Sequence, residues 1–286
     1  MLNIRPYFED RVAFWPATAD TYVPVTGCST EQPMSATSIP SPAHALNRTP
    51  GTTDPAGSVI WNKILRLLPE REIQSIVERS ELVTVKSKEV LFEPGDPIKY
   101  VHFPEDCVIS LVTVMQDGDQ VEAMTVGNDG FSGIPIFHAV ETSPNRGIGQ
   151  ITGRARRVGA KDFLDLVQSC TMLHRLLHRY SEFVYETVAQ SAACNRLHVI
   201  EQRCARWLLM SHDRVGRDSF DLTQEFLAEM LGVRRPGVTV AMGILEKSGL
   251  IAHSRGNITI ADRPGLEGAA CECYGTIRAR QGKLIA

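Results

Sequence analysis

The chain has 286 residues, with 43% hydrophobic and 22% charged side chains, a balance that suits one or two globular domains and excludes a low-complexity polymer. Its 30 Lys+Arg against 33 Asp+Glu give a formal net charge of −3, which excludes a histone-like polycation but leaves a local basic surface open. No apolar run approaches the ~18 residues needed to span a bilayer, the longest strong one being the strand-sized stretch from Cys107 to Met115.

Residues 1–57 hold 8 of the 16 prolines among many Ser, Thr and Ala, and no apolar period survives from Thr18 to Gly57. This composition predicts a disordered leader over residues 1–57, because too little apolar surface is available to offset the entropy of ordering. Tyr7, Phe8, Phe14 and Trp15 are its candidate docking aromatics. The start lacks the basic stretch and apolar core of a secretory signal. Seven scattered cysteines argue against a disulfide framework and for a reducing cytosol, so the expectation is a cytoplasmic protein with no membrane association.

From Ser58 the pattern changes. Val59, Ile60, Ile64, Leu67 and Leu68 fall at helical spacing until Pro69, and Glu70 to Arg79 repeats it with Ile73, Ile76 and Val77. Short β-segments follow at Leu82–Val85, Val90–Phe92, Tyr100–Phe103, Val108–Met115, Val121–Val126 and Gly149–Val158. Gly-, Pro- and Asp-rich turns separate them, including Asp117-Gly-Asp119 and Gly127-Asn-Asp-Gly130. Many short strands with regular turns predict a small closed barrel or roll over residues 58–158. At its end, alternation puts Arg154 and Arg156 on one solvent face, with Arg157 beside them, and a phosphate-bearing ligand is the functional alternative.

Helical periodicity returns at Ala160. Phe163, Leu164, Leu166 and Val167 predict a short helix. Leu173, Leu177, Tyr180, Val184, Thr187, Ser191 and Cys194 then follow a 3-4 spacing along a Gly- and Pro-free helix from about Cys170 to Asn195. That seam suits either a helix-to-helix dimer contact or packing on the chain's own roll; Leu176 and Phe183 lie off it and give a second apolar face. Cys170, His174 and His178 share one face at i, i+4, i+8, read as a polar helix face with a buried thiol rather than as metal ligands.

The most informative stretch runs from Thr223 to Glu246. Thr223 can cap a first helix whose inward face is Phe226, Leu227, Met230 and Leu231. Gly232 can take the left-handed conformation of a sharp turn, and Val233 fills the corner. Pro236 fits the first turn of a second helix, whose buried stripe is Val238, Ala241, Met242 and Leu245. Two amphipathic helices crossing at a glycine describe a helix-turn-helix. Leu250–His253 and Ile258–Ala261 flank Ser254-Arg-Gly-Asn257 as a hairpin wing. Arg234 and Arg235 open the second helix, where guanidiniums suit the O6/N7 edge of guanine. The candidate DNA-binding residues are Thr223, Gln224, Arg234, Arg235, Pro236, Gly237, Thr239 and, at the wing tip, Arg255. Charge agrees in sign: residues 1–189 hold 17 Lys+Arg against 23 Asp+Glu, whereas residues 190–286 hold 13 against 10.

Roll, long helix and winged helix-turn-helix, in that order, make the chain resemble the Crp/Fnr family of bacterial transcription regulators from about Asn62 to Asp262. The supporting residues are Glu93-Pro-Gly-Asp96, the Asp117-Gly118 hairpin, Gly130-Phe-Ser-Gly-Ile-Pro-Ile-Phe137, Glu201-Gln-Arg-Cys-Ala-Arg-Trp-Leu208 and the Thr223 to Glu246 stretch. The resemblance implies an α+β architecture: an N-terminal double-stranded β-helix (jelly-roll) sensor domain at 58–158, a linker and long dimerisation helix at 159–196, a C-terminal winged helix-turn-helix at 197–262, and a tail at 263–286. It also implies a homodimer on double-stranded DNA with a near-palindromic operator, an unknown small-molecule effector in the roll, and contacts with RNA polymerase. The effector pocket maps to Ser132, Gly133, Ile134, Arg146, Gly147 and Thr187. Members that bind cyclic AMP carry a ribose-binding Glu where this chain has Gly133, and Gly147 follows Arg146 where a Ser or Thr is expected, which argues against a cyclic nucleotide cofactor. Pro236 stands where those members read a base with an acidic residue. Cys28 stands alone, so an Fnr-type iron–sulfur cluster is not expected.

No metal site is expected either: Cys271-Glu-Cys273 is too short without partners, and His253 or Cys204 would have to complete it. Gly-x-Ser-x-Gly, His-Glu-x-x-His, P-loop and dinucleotide motifs are absent, so no catalytic residues are assigned and an enzyme is not expected. A ligand-binding signalling module without direct DNA readout is the alternative function.

Overall fold

The computed structural model describes Thr53, residues 59–254 and residues 256–285. Apart from Thr53, the expected leader at 1–57 lies outside the described residues, and so does Arg255.

The helix expected across Val59 to Leu68 is instead an isolated β-bridge at Val59, irregular backbone and a turn at 63–64, followed by one 3-10 turn at Leu65–Leu67. Asn62 is the reason. Its Oδ1 accepts from the N–H groups of Ile64 (3.1 Å) and Leu65 (3.2 Å), while its amide donates to the carbonyls of Pro104 and Gly130. A side chain that satisfies the local backbone and ties it to the roll competes with helix propagation. Helix α1 (Glu70–Glu78) then follows Pro69, burying Ile73 and Ile76.

The roll consists of β1 (Ser80–Val85), β2 (Val90–Phe92), β3 (Tyr100–Pro104), β4 (Val108–Val114), β5 (Gln120–Val126), the short helix α2 (Ile134–Phe137), β6 (Arg146–Ile151) and β7 (Gly153–Gly159). Its strands form two antiparallel sheets, β1-β7-β3 and β2-β6-β4-β5. The segment expected as one strand from Gly149 to Val158 is therefore two, and the chain changes sheets at Thr152. Gly153 permits the crossing, since a Cβ there would stand 2.5 Å from the Asp106 carbonyl oxygen. Phe103, Phe131, Phe163 and Tyr180 fill the interior, with neighbouring rings 5.3–6.2 Å apart.

Helices α3 (Ala160–Ser169) and α4 (Thr171–Leu197) close the roll. On α4, Leu173, Leu177, Tyr180, Thr187 and Cys194 are buried against the chain itself, so the 3-4 seam serves intramolecular packing. The outward stripe is Tyr185, Val188, Ala189 and Ala192, followed by Leu197 and Val199. Arg156 also corrects the sequence reading. It is buried, not solvent-facing, and its Nε donates to Glu105 at 3.1 Å.

After a two-residue break come α5 (Ile200–Val215), β8 (Ser219–Asp221), α6 (Gln224–Leu231), α7 (Arg235–Lys247), β9 (Ile251–Ser254) and β10 (Asn257–Ile260). The segment expected as a tail forms α8 (Arg263–Ala269) and α9 (Cys273–Ile285), and α9 folds back along α4. Arg280 donates to the Glu186 carbonyl at 3.0 Å, and Arg179 reaches the Lys283 carbonyl.

Polar contacts join the roll to α5 and α9. Arg214 pairs with Asp129 of the Gly127–Gly130 turn at 2.9 Å, and Gln281 of α9 donates to the same carboxylate at 2.7 Å. Burial alone would raise the Asp129 carboxyl, but Arg214 and Lys63 outweigh it and hold it below the usual range. Nearby, Trp207 Nε1 donates to Glu122 on β5 at 3.1 Å, and Gln150 on β6 donates to Ser211 at 3.0 Å. No helix among the described residues is long and apolar enough to cross a membrane.

Candidate nucleic-acid interface

The site is built from α5 outward. Thr223 caps α6, its Oγ1 accepting the Phe226 N–H at 3.2 Å. Gly232 ends α6 at φ +61°, and the N–H groups of Gly232 and Val233 return to the carbonyls of Glu229 and Ala228. A guanidinium from α5, Arg203, takes the Leu231 carbonyl at 2.5 Å. Helix α7 then starts after Arg234, with Pro236 in its first turn. Phe226, Leu227, Met230 and Leu231 of α6, with Val238, Ala241, Met242 and Leu245 of α7, are buried in one core. Half-buried Gly237 allows a close approach to α5, since a Cβ there would lie 3.0 Å from Ile200 Cδ1.

This packing sets out the proposed contact residues. Arg234, Arg235, Pro236 and Thr239 are exposed on the N-terminal half of α7. Thr239 donates to Gln224 Oε1 at 2.8 Å, locking the outer faces of the two helices together. The wing is the hairpin β9–β10, backed by β8. It is tied to the helices by the Leu222 N–H on the Gly256 carbonyl (2.7 Å) and the His253 N–H on Glu246 (3.1 Å). Val240 and Ile244 also face outward on α7, 60% and 45% exposed. Sequence reasoning passed over them because both are apolar. They are nonetheless the complement of the buried Val238, Ala241, Met242 and Leu245 stripe, and an exposed aliphatic group on such a helix suits a thymine methyl.

The arginine end of α7 borders a cleft of about 600 Å³ against the β4–β5 hairpin. Asp119, Glu225 and Glu229 line the cleft beside Arg234 and Arg235, and Gln120 donates to Glu229 at 3.3 Å.

The six residues proposed as an effector pocket occupy three separate surroundings. Ser132 is buried against His102, Gly133 packs against Val101, and Ile134 opens α2. Arg146 is engaged by Glu93 at 2.8 Å and by Gln120 at 3.3 Å, and Gly147 lies under the Phe92 ring. Thr187 is buried on α4, and its hydroxyl has no hydrogen-bond partner.

A second cluster forms at the end of α4, where sequence reasoning expected no metal ligands to meet. Cys271 and Cys273 are joined by Cys194 and His198, not by Cys204 or His253, and the four ligand atoms lie within 4.8 Å of one another. Among the described residues this is the one group of three or more His, Cys, Asp or Glu side chains close enough to share a metal ion. The hydrogen bond with Cys194 brings the Cys271 thiol down to about 5, against the opposing effect of burial. Cys170, His174 and His178 form no such group; His174 and His178 pack edge-on against each other and Phe137.

Residues 202–269 match the model of the Crp-like helix-turn-helix domain. No curated protein matches the chain in sequence. Among solved structures, FixK2 from Bradyrhizobium japonicum is similar with a TM-score of 0.57 and 14% identity, over 67% of this chain and 98% of that one. A CRP-family transcriptional regulator from Thermus thermophilus is similar with a TM-score of 0.55 and 19% identity, over 67% and 99%. CLP, a c-di-GMP-responsive global regulator from Xanthomonas campestris, is similar with a TM-score of 0.53 and 14% identity, over 67% and 99%. These likenesses establish a shared fold: an antiparallel β-rich N-terminal domain followed by helices and a winged helix-turn-helix.

Proposed function

We propose that the chain is a DNA-binding transcription regulator of the Crp/Fnr type, and that it reads its operator through Arg234, Arg235 and Thr239 of α7, with Val240 against base methyl groups. The observation that carries this reading is the exposed arginine end of α7, held out by the left-handed turn at Gly232. Gln224 orients Thr239, the Thr223 turn and the wing position the module on the phosphates, and Arg255 supplies a sequence-independent contact.

The functional unit is a homodimer joined along the outward stripe of α4. Tyr185, 71% exposed, and Val188, Ala189 and Ala192 follow the 3-4 spacing of a helix-to-helix seam that the chain's own packing leaves uncovered. Two recognition helices paired this way match half-sites ~34 Å apart.

Regulation acts at the cleft between the roll and α7. Phosphates that approach Arg234 and Arg235 there also meet Asp119, Glu225 and Glu229. Parting Gln120 from Glu229 frees the arginine end, and an effector in the roll shifts that population. A cyclic nucleotide does not suit the described residues, because Arg146 is already paired with Glu93 and Gly133 offers no carboxylate for a ribose. RNA polymerase is the further partner of this reading.

The test is selection of bound sequences from random duplex DNA with the full chain, followed by affinity measurements over a range of salt. Enrichment of a two-fold symmetric site, with affinity falling steeply as salt rises, is expected. Failure to enrich any sequence while a small molecule stabilises the protein would favour a ligand-binding module without DNA readout.

A further inference from the structure

The cluster at the end of α4 is not among the DNA contacts proposed above, yet its chemistry is specific. Cys194, Cys271 and Cys273 are all nearly inaccessible and form a buried cluster of their own. Cys194 lies on the last turn of α4, His198 immediately after it, and the other two cysteines flank the start of α9. Cys194 Sγ and Cys271 Sγ are 3.5 Å apart, and Cys273 Sγ is 3.6 Å from His198 Nδ1. A tetrahedral zinc with Zn–S ~2.3 Å and Zn–N ~2.0 Å has sulfur–sulfur edges of ~3.8 Å and sulfur–nitrogen edges of ~3.5 Å. Two of the six edges thus already stand close to those of a coordination tetrahedron, and all four ligand atoms lie within 4.8 Å of one another.

The surroundings also fit. The other ring nitrogen of His198, Nε2, faces Glu272 Oε1 at 3.1 Å, the carboxylate–histidine arrangement that orients a metal-bound imidazole. Gln190 donates to Cys273 Sγ at 3.1 Å. Three thiolates and one divalent ion carry a net charge of −1, and the guanidinium of Arg206 acts electrostatically on both Cys194 and Cys271.

We propose that Cys194, His198, Cys271 and Cys273 form a Cys3His site for one Zn²⁺ ion, which clamps α9 to the end of α4 at the break that leads into the DNA-binding domain. The ligand set is closed, so the role is structural. Binding displaces the remaining thiol protons to solvent and involves no oxidation or reduction. His198 lies in the two-residue break between α4 and α5, so the ion also fixes the direction in which α5 leaves the dimerisation helix.

The test uses the full chain, purified under reducing conditions. Metal analysis is expected to find one zinc per chain. Cobalt(II) exchanged into the chelator-stripped protein is expected to give the ligand-field bands of a tetrahedral site and a thiolate charge-transfer band. Cys271→Ser and Cys273→Ser should abolish stoichiometric binding, whereas Cys170→Ser should not. Because a cysteine variant can simply misfold, Glu272→Gln provides the second arm: this exposed residue is expected to lower zinc affinity roughly tenfold without moving the stoichiometry. A protein that binds neither zinc nor cobalt while all four side chains remain reduced overturns the proposal. So does a Cys194–Cys271 disulfide that persists in reductant, or iron with inorganic sulfide in place of zinc.

Discussion

Replacing Glu122 by Gln removes a carboxylate from the joint between the roll and α5. Glu122 Oε2 lies 2.7 Å from Ser110 Oγ, and Oε1 accepts Trp207 Nε1–H at 3.1 Å. Desolvation pushes this carboxyl from 4.5 up to about 7, against the hydrogen bonds from Ser110 and Trp207 and the charges of Arg206 and Arg214. A carboxyl whose pKa is raised by folding binds its proton more tightly in the folded state. The contribution of Glu122 to stability is therefore greatest below pH 4.5 and is lost as pH rises through about 7. At ~1.4 kcal/mol per pKa unit the span amounts to about 3 kcal/mol, and roughly 2 kcal/mol is expected because the residue keeps some contact with water. The amide suits the same network: its oxygen accepts from Trp207, and its NH₂ donates to Ser110, whose hydroxyl turns to Gln150 at 2.8 Å. Urea unfolding of both proteins at about pH 5 and about pH 8 measures the effect. Near-equal stability is expected in acid, and a gain of about 2 kcal/mol for Glu122→Gln in base. A variant less stable than the parent at the higher pH would refute the reasoning, because Glu122 would then be an ionised group that its partners hold favourably.

Asp129→Asn strands Arg214 in the interior and is expected to destabilise the chain by about 3–5 kcal/mol in urea unfolding, with Asp129→Leu/Arg214→Met recovering most of the loss. His102 is held down to about 4 by burial and then by Arg157, so the unfolded chain takes up its proton first. Its contribution is complete above pH 6.5 and is lost as pH falls toward 4; His102→Asn should flatten that limb of the stability curve. Arg235→Ala should weaken operator binding by about 1–3 kcal/mol and random DNA far less, while Arg255→Ala should weaken both alike; equal losses on the two DNAs for Arg235→Ala would remove its base-reading role. Glu229→Gln deletes a carboxylate beside the arginine end of α7 and should raise DNA affinity by roughly two- to fivefold at low salt, as read by fluorescence anisotropy.

The helix-turn-helix was legible because its determinants are local. Thr223, Gly232 and Pro236 act within one turn of themselves, and the two apolar stripes repeat over fewer than 25 residues. Most of the roll strands were legible for the same reason. The corrections have another origin. A period of two carries β6 straight into β7, and only the passage of Gly153 against Asp106 reveals that the strands belong to different sheets. The helix read across Val59 to Leu68 is undone by Asn62, whose partners Pro104 and Gly130 lie 42 and 68 residues away.

The succession of β-rich roll, long helix and helix-turn-helix, and the exposure of Arg234 and Arg235, follow from the sequence alone, because propensity, capping and amphipathic period are short-range properties of the chain. Which face of α4 is covered, that Arg156 and Arg214 are buried with carboxylates, and that Cys194 meets Cys271 across 77 residues were decided by tertiary structure. Closing so long a loop leaves no periodic trace in the residues between, and its entropy is recovered only when the roll, α4 and α9 pack as one.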